Sequence, residues 1–297
     1  MPATEWLNKY ESVKDKLACK ADLETYFTEK MIENMAVDVL DIGPVHFPTG
    51  TIFACDPMVE LEDALPFLQT IPAGTYPVKI CVAPSEQYGD RYACVKVEVS
   101  QEKPVRYELG MTGNEELDAV LGDDDYFGFG VDAGMGCIAD IQTQAAFKAY
   151  WARRLEEDPD IDPYNDLFCD LLEENAKAHP EYQGSCGDWL NWPVPDTTAA
   201  CPSSPPAGGM GTIPFTSATT PRVKSAPYMC GSSTLKPVIE SRSKNVTEQS
   251  SQSIPQAPCP ADEAGRQPTG RGCPDPGAGG RTCGALRGWR CGTSCAG

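Results

Sequence analysis

Residues 37–57, VDVLDIGPVHFPTGTIFACDP, decide the fold. Short β-rich runs flank Pro48-Thr49-Gly50, and a proline with a glycine two places later is turn chemistry between strands. Three more runs with alternating apolar positions follow: TYPVKICVAP at 75–84, RYACVKVEVS at 91–100 and PVRYELGM at 104–111. Pro72-Ala73-Gly74 and Tyr88-Gly89-Asp90 separate them, so the pattern predicts an antiparallel meander.

Helical periods bracket this sheet. Trp6, Tyr10, Val13 and Leu17 recur at helical spacing, and Leu23, Phe27 and Met31 continue the stripe. Residues 4–34 are therefore expected as two amphipathic helices or one bent helix, within a helical layer over 1–36. Residues 115–125 read as an acidic loop and 126–141 as a Gly-punctuated hairpin. Phe147, Trp151 and Leu155 mark a third helix. A fourth opens at Asp162 as N-cap with Pro163 in its first turn, buries Leu167, Leu171 and Leu172, and is stopped by Pro180. DWLNWPVP at 188–195 returns to strand character. The expected class is α+β: an antiparallel β-meander sheet with N-terminal and internal helices packed on it.

The chemistry of the chain breaks near Thr197. Residues 1–197 hold 38 Asp and Glu against 14 Lys and Arg, a net charge of −24. Residues 198–297 hold 5 against 10, with 27 Gly and Pro, 7 Cys and almost no apolar periodicity. Two regions are expected: an acidic α+β domain over 1–197 and a disordered Gly/Pro/Cys-rich tail over 198–297. The charge of the first region opposes nucleic acid and anionic membrane, and it favours capture of a basic protein partner. The first residues are charged and lack an apolar leader core, and nowhere do 18 apolar residues run together. A cytoplasmic protein without a membrane span is expected. Cys19, Cys55, Cys81, Cys94, Cys137, Cys169 and Cys186 sit mostly in apolar runs and read as free buried thiols, as in a reducing compartment.

The segments DVLDIGPVHFPTGTIFACDP, FGFGVDAGMGCIAD and WLNWPVPDT resemble the bacterial family called domain of unknown function 4241, over about 37–197. The resemblance implies a small cytoplasmic bacterial protein, and it carries no activity. It also implies a Gly-rich turn and a last pair of strands after PDT, where this chain reads TAACPSSPPAGGMG. A shifted reading frame would account for the departure, the alternative being a genuine Pro/Gly-rich linker with a Cys-rich end. Read one base out of register, the codons of Met210-Gly211 encode Gly and those of Met229-Cys230 encode Val. The shifted reading then has the form of a Gly-rich turn followed by a strand with alternating faces.

Candidate chemistry is sparse. Gly50-x5-Asp56 and Gly134-x5-Asp140 share one pattern, each in an expected hairpin, and Asp132 precedes the second. If the hairpins are related units of one sheet, Asp56, Asp132 and Asp140 converge on a divalent cation, since hard cations take oxygen ligands. The competing and preferred reading has these aspartates bonding backbone N–H groups at turns. Asp123-Asp124-Asp125 lacks the Gly and Glu spacing of a calcium loop, and GFGVDAG opens no helix as a phosphate loop would. His46 and His179 are too far apart in the sequence pattern for a zinc or triad site and read as structural. Cys283, Cys291 and Cys295 show no paired C-x-x-C, and the acceptor pattern at Asn245 carries no weight without a secretion signal. No cofactor is expected, and the oligomeric state is left open. The leading expectation is a non-enzymatic acidic binding or immunity-like protein for a basic partner. The alternatives are a metal-dependent hydrolase using Asp56, Asp132 and Asp140, and a frameshifted product without function of its own.

Overall fold

A computed structural model describes residues 2–86, 89–118, 126–205, 211–220 and 226–230. Contacts divide the chain into two units, Met1–Ser241 and Arg242–Gly297, and all described residues belong to the first.

In chain order, α1 (Thr4–Val13) and the single turn α2 (Thr25–Thr28) precede a small ladder of β1 (Met31–Ile32) and β2 (Met35–Ala36). Seven strands follow: β3 (Asp38–Phe47), β4 (Ile52–Cys55), β5 (Gly74–Ala83), β6 (Arg91–Val97), β7 (Arg106–Leu109), β8 (Gly128–Val131) and β9 (Gly136–Asp140). Next come α3 (Ile141–Glu157), a π-helical turn at Tyr164–Phe168 that runs into α4 (Cys169–Ala178), and β10 (Leu190–Pro193). The described chain ends with β11 (Ala200–Ser204), β12 (Gly211–Thr219) and β13 (Ala226–Cys230).

Among the described residues every strand pairing is antiparallel, and the class is α+β as the sequence pattern predicts. One sheet runs β3-β5-β6-β13-β12-β7, with β8 joined to β12; a second runs β10-β11-β9-β4. Strand alternation sets the layers. In β4, Ile52 and Ala54 face the core shared with the first sheet, while Phe53 and Cys55 face the core under α3 and α4. In β9, Ile138 faces the first core and Cys137 and Ala139 the second. A third core, with Cys81, Ala93 and Tyr107, lies under the N-terminal segment.

The two expected hairpins are sheet crossovers instead. β3 pairs with β5 while β4 pairs with β9, so the chain changes sheet at Pro48-Thr49-Gly50. β8 pairs with β12 while β9 pairs with β4 and β11, so it changes sheet again before Gly136. A two-sheet core buries both faces of β4 and β9, which a single meander leaves half exposed.

The helical stripe over 4–34 also ends early. Cys19 N–H donates to Tyr107 O, and Ala18 bridges Glu108, so the chain joins the edge of β7. Lys96 then takes Glu24. Its buried ammonium lies 2.7 Å from the carboxylate and 4.7 Å from the Phe27 ring, with Tyr228 Oη donating to the same Glu24 at 3.2 Å. Leu23, Tyr26 and Phe27 pack as a loop and one turn, and Met31 begins a strand. The fourth helix opens as expected: Asp162 Oδ1 accepts from Asn165 N–H at 2.8 Å.

Folded structure continues past the break at Thr197. β11 pairs with β10 and β9, and β12 and β13 form a hairpin between β6 and β7. Buried Ile213 and Phe215, with Phe67 stacked at 3.9 Å on Phe215, supply the apolar face. The disordered tail expected from 198 thus has its first part in the sheet, and its remainder, 231–297, lies outside the described residues. Among the described cysteines, Cys19, Cys55, Cys81, Cys137, Cys169 and Cys186 form no disulfide, as expected, and neither does Cys201. Cys94 is the exception, being disulfide-bonded, and Cys186 is exposed.

The insertion of the hairpin yields a prediction. A chain ended after Ser241 will keep the melting temperature of the full chain. One ended after Pro205 will lose its cooperative transition and aggregate, because β6 and β7 are left with open edges. Circular dichroism melts and light scattering of the two truncations check this.

Candidate functional site

The two glycine-to-aspartate units meet at the sheet crossovers. Gly50 takes φ +70° and lies so close to Ile71 that a Cβ would stand 1.9 Å from its carbonyl oxygen. Gly134, at φ +87°, turns the other crossover. Each unit's aspartate then holds the other unit's turn. Asp140 Oδ2 accepts from Thr49 N–H at 3.0 Å and Gly50 N–H at 2.9 Å, and the Thr49 hydroxyl donates at 2.9 Å. Its Oδ1 caps α3 by accepting from Gln142 N–H at 2.9 Å. Asp56 Oδ2 accepts from Asp132 N–H at 3.0 Å and Ala133 N–H at 2.6 Å, and Oδ1 from Met58 N–H at 3.1 Å.

This geometry bears directly on the three carboxylates expected to meet. Ile52 stands opposite Asp140 and Cys55 opposite Cys137. Asp140 is therefore at one end of the β4–β9 ladder and Asp56 just past the other, roughly 13 Å away at strand rise. Asp132 approaches Asp56 through its backbone N–H, and the residue is exposed. Asp56 and Asp140 are almost fully buried, and their oxygens are occupied by N–H and hydroxyl donors. Among the described residues, no group of three His, Cys, Asp or Glu side chains is arranged to hold a metal ion.

His46 pairs with Thr75 across β3 and β5, its Nδ1 3.0 Å from the hydroxyl, and His179 ends α4 with its ring 5.9 Å from that of Trp189. Asp123-Asp124-Asp125, Asn245 and the distal cysteines lie outside the described residues.

Two features escape sequence reasoning. The first is a trio of fully buried thiols, Cys55, Cys137 and Cys201, on adjacent strands, with 3.6 Å between the first two sulfurs. The Cys137 thiol and burial hold Cys201 well above the usual thiol range, so the trio is core packing rather than nucleophile. The second is a pair of acidic recesses. One, of about 540 Å3, is lined by Asp38, Val39, Leu40, Asp41, Glu181 and Tyr182. The other, of about 210 Å3, is lined by Asp56, Val59, Glu60, Gly130, Val131 and Asp132. Residues over 140 positions apart build the first recess, which no local pattern discloses.

Fold and recesses together define an acidic, two-sheet α+β domain whose clefts present carboxylates. The chain belongs to the family described as Protein of unknown function (DUF4241), which matches residues 45–211, over half of its length. The match crosses the composition break at Thr197, in keeping with β11 lying inside the second sheet. No curated protein and no solved structure matches the chain. Among the described residues no helix is long and apolar enough to cross a membrane.

Removing the carboxylate of Asp140 leaves buried donors of two turns unpartnered. Asp140→Ala should cost about 3 kcal/mol or more in unfolding free energy, against under about 1 kcal/mol for an exposed control such as Glu156→Ala. Urea titrations of both variants measure this.

Burial pushes the Asp56 carboxyl above its ordinary value, against the pull of its three N–H donors. A raised folded-state value favours the protonated form on folding. Its stability contribution is full below the unfolded value of 3.8 and is lost as pH rises through the raised one. The melting temperature of the wild type minus that of Asp56→Asn should therefore increase from neutral to acidic pH. A flat difference would show that Asp56 does not titrate in that window.

Proposed function

We propose that this protein is a non-enzymatic cytoplasmic binding protein that uses its acidic surface to capture a basic protein partner, in the manner of an inhibitor or immunity factor. The observation that carries this reading is the carboxylate excess of residues 1–197, 38 acidic against 14 basic side chains, together with recesses whose linings contain carboxylates and no Lys or Arg. Complementary charge raises the association rate, suppresses wrong partners and is screened by salt. The same field repels nucleic acid and anionic lipid. Tagged protein incubated with host lysate should retain a discrete protein of high isoelectric point at low salt and release it at high salt. Retention indifferent to salt, or of acidic proteins only, would overturn the reading.

A second reading concerns the chain's ending: a shifted reading frame near Thr197 produced the present sequence and left the product without a function of its own. It is favoured by the burial of Ser203, Ser204, Thr216 and Ser217 within the strands after the break. Polar side chains are poor filling for a core. A version with the frame restored from residue 199 should melt at a higher temperature than the present chain. An equal or lower value would remove the frameshift reading.

A further inference from the structure

Among the described residues the first sheet ends at β3, which pairs with β5 alone. Over residues 38–41 the register is regular, from Asp38 opposite Val82 to Asp41 opposite Lys79. Val39 N–H donates to the Asp38 carboxylate at 2.8 Å. Past the register shift between Asp41 and Pro44 the edge is closed from the side. There Asn191 Nδ2 donates to Ile42 O at 2.9 Å and to Pro44 O at 3.4 Å. Residues 38–41 thus have no described strand on that side, although Val39 N–H is held by the Asp38 carboxylate, a bond that an added strand would replace, and the larger recess runs along them.

The opposite wall is held in place. Tyr182 takes φ +54°, its Oη donates to Asp38 Oδ2 at 2.7 Å, and its carbonyl accepts from Tyr92 Oη. Asp38, Asp41 and Glu181 bring negative charge to the cleft, and Lys30 pairs with Asp38 at 3.3 Å from the exposed rim. The hydrogen bond to Asp38, then burial and the charges of Asp38, Glu181 and Asp90, push the Tyr182 phenol up to about 12.

We infer that the open edge of β3 at residues 38–41 is a docking site for a basic segment of another protein, bound in extended form as an added strand against Glu181 and Tyr182. This rests on the basic-partner reading above and gives it a place. Strand addition draws affinity from main-chain hydrogen bonds and specificity from alternate side chains, which here would meet carboxylates. Charge on the edge also decides the occupant. Two copies of this chain repel one another there, as charged edges of soluble sheets do, whereas a cationic strand is attracted.

The test is fluorescence anisotropy of the full chain with a capped, labelled peptide of alternating Lys and Thr at low salt. Its comparators are the same peptide with alternate amides N-methylated and a Glu/Thr peptide. The Lys/Thr peptide should bind and the Glu/Thr peptide should not. N-methylation should weaken binding by at least about tenfold, as should Asp41→Lys with Glu181→Lys. The pair Glu156→Lys with Glu157→Lys on α3, which lines neither wall of the recess, should weaken it less than the cleft pair does, because Coulomb attraction falls with distance. If N-methylation has no effect and both reversals weaken binding equally, the strand-edge site is wrong while the basic-partner reading stands. If the Lys/Thr peptide does not bind, both fail. The N-methylated comparison uses the unaltered protein, so a misfolded variant cannot hide the result.

Discussion

Two buried carboxylates, Asp56 and Asp140, hold the two places where the chain passes from one sheet to the other. A crossover of this kind turns backbone N–H groups inward with no strand beside them, and each orphan costs about 1–3 kcal/mol if left alone. An ionised carboxylate accepts several such bonds at once and makes each stronger. The arrangement is reciprocal. The aspartate that follows Gly134 holds the turn at Gly50, and the one that follows Gly50 holds the turn before Gly134. The offset is 84 residues for both glycines and both aspartates, and the β4–β9 register maps onto itself under that shift. The two crossovers are therefore near-equivalent halves around one ladder.

The layers follow from those crossovers. With β4 and β9 sent to the second sheet, alternate residues of each strand serve different cores, and Phe53, Phe147, Phe168 and Trp192 close the side under α3 and α4. On the far side, Lys96 does a polar version of the same work. Its ammonium is 6% exposed and pairs with Glu24, while Tyr228 Oη donates to that carboxylate. The N-terminal segment, β6 and the last strand meet on one buried charge. Glu98 lies 3.5 Å from the same ammonium, so Lys96 is paired from the end of its own strand as well as from the N-terminal segment.

Much of the strand content was legible because alternation survives in short runs: Val78, Ile80 and Val82 face one core, and Cys81 and Ala83 another. The Asp162 cap, the Pro180 stop and the turn at Gly50 were legible for the same local reason. Partner choice was not. A run such as PVRYELGM carries no sign that two strands from beyond residue 210 separate it from RYACVKV. Nor does helical spacing at Leu23 and Phe27 reveal that Lys96 will claim Glu24. For the aspartates, the turn role was readable from residue type, but its exchange between units depends on register. The cleft at β3 joins residues 38–41 to 181–182, and only the tertiary fold sets that distance.

The placement of β12 and β13 has a consequence for biosynthesis. They sit between strands translated more than a hundred residues earlier, so the main sheet cannot close while the chain is still short. Contacts of such long sequence separation slow folding and lengthen the life of partly formed states. Until residue 230 has been made, the slot between β6 and β7 is vacant and both strands carry unpaired edges.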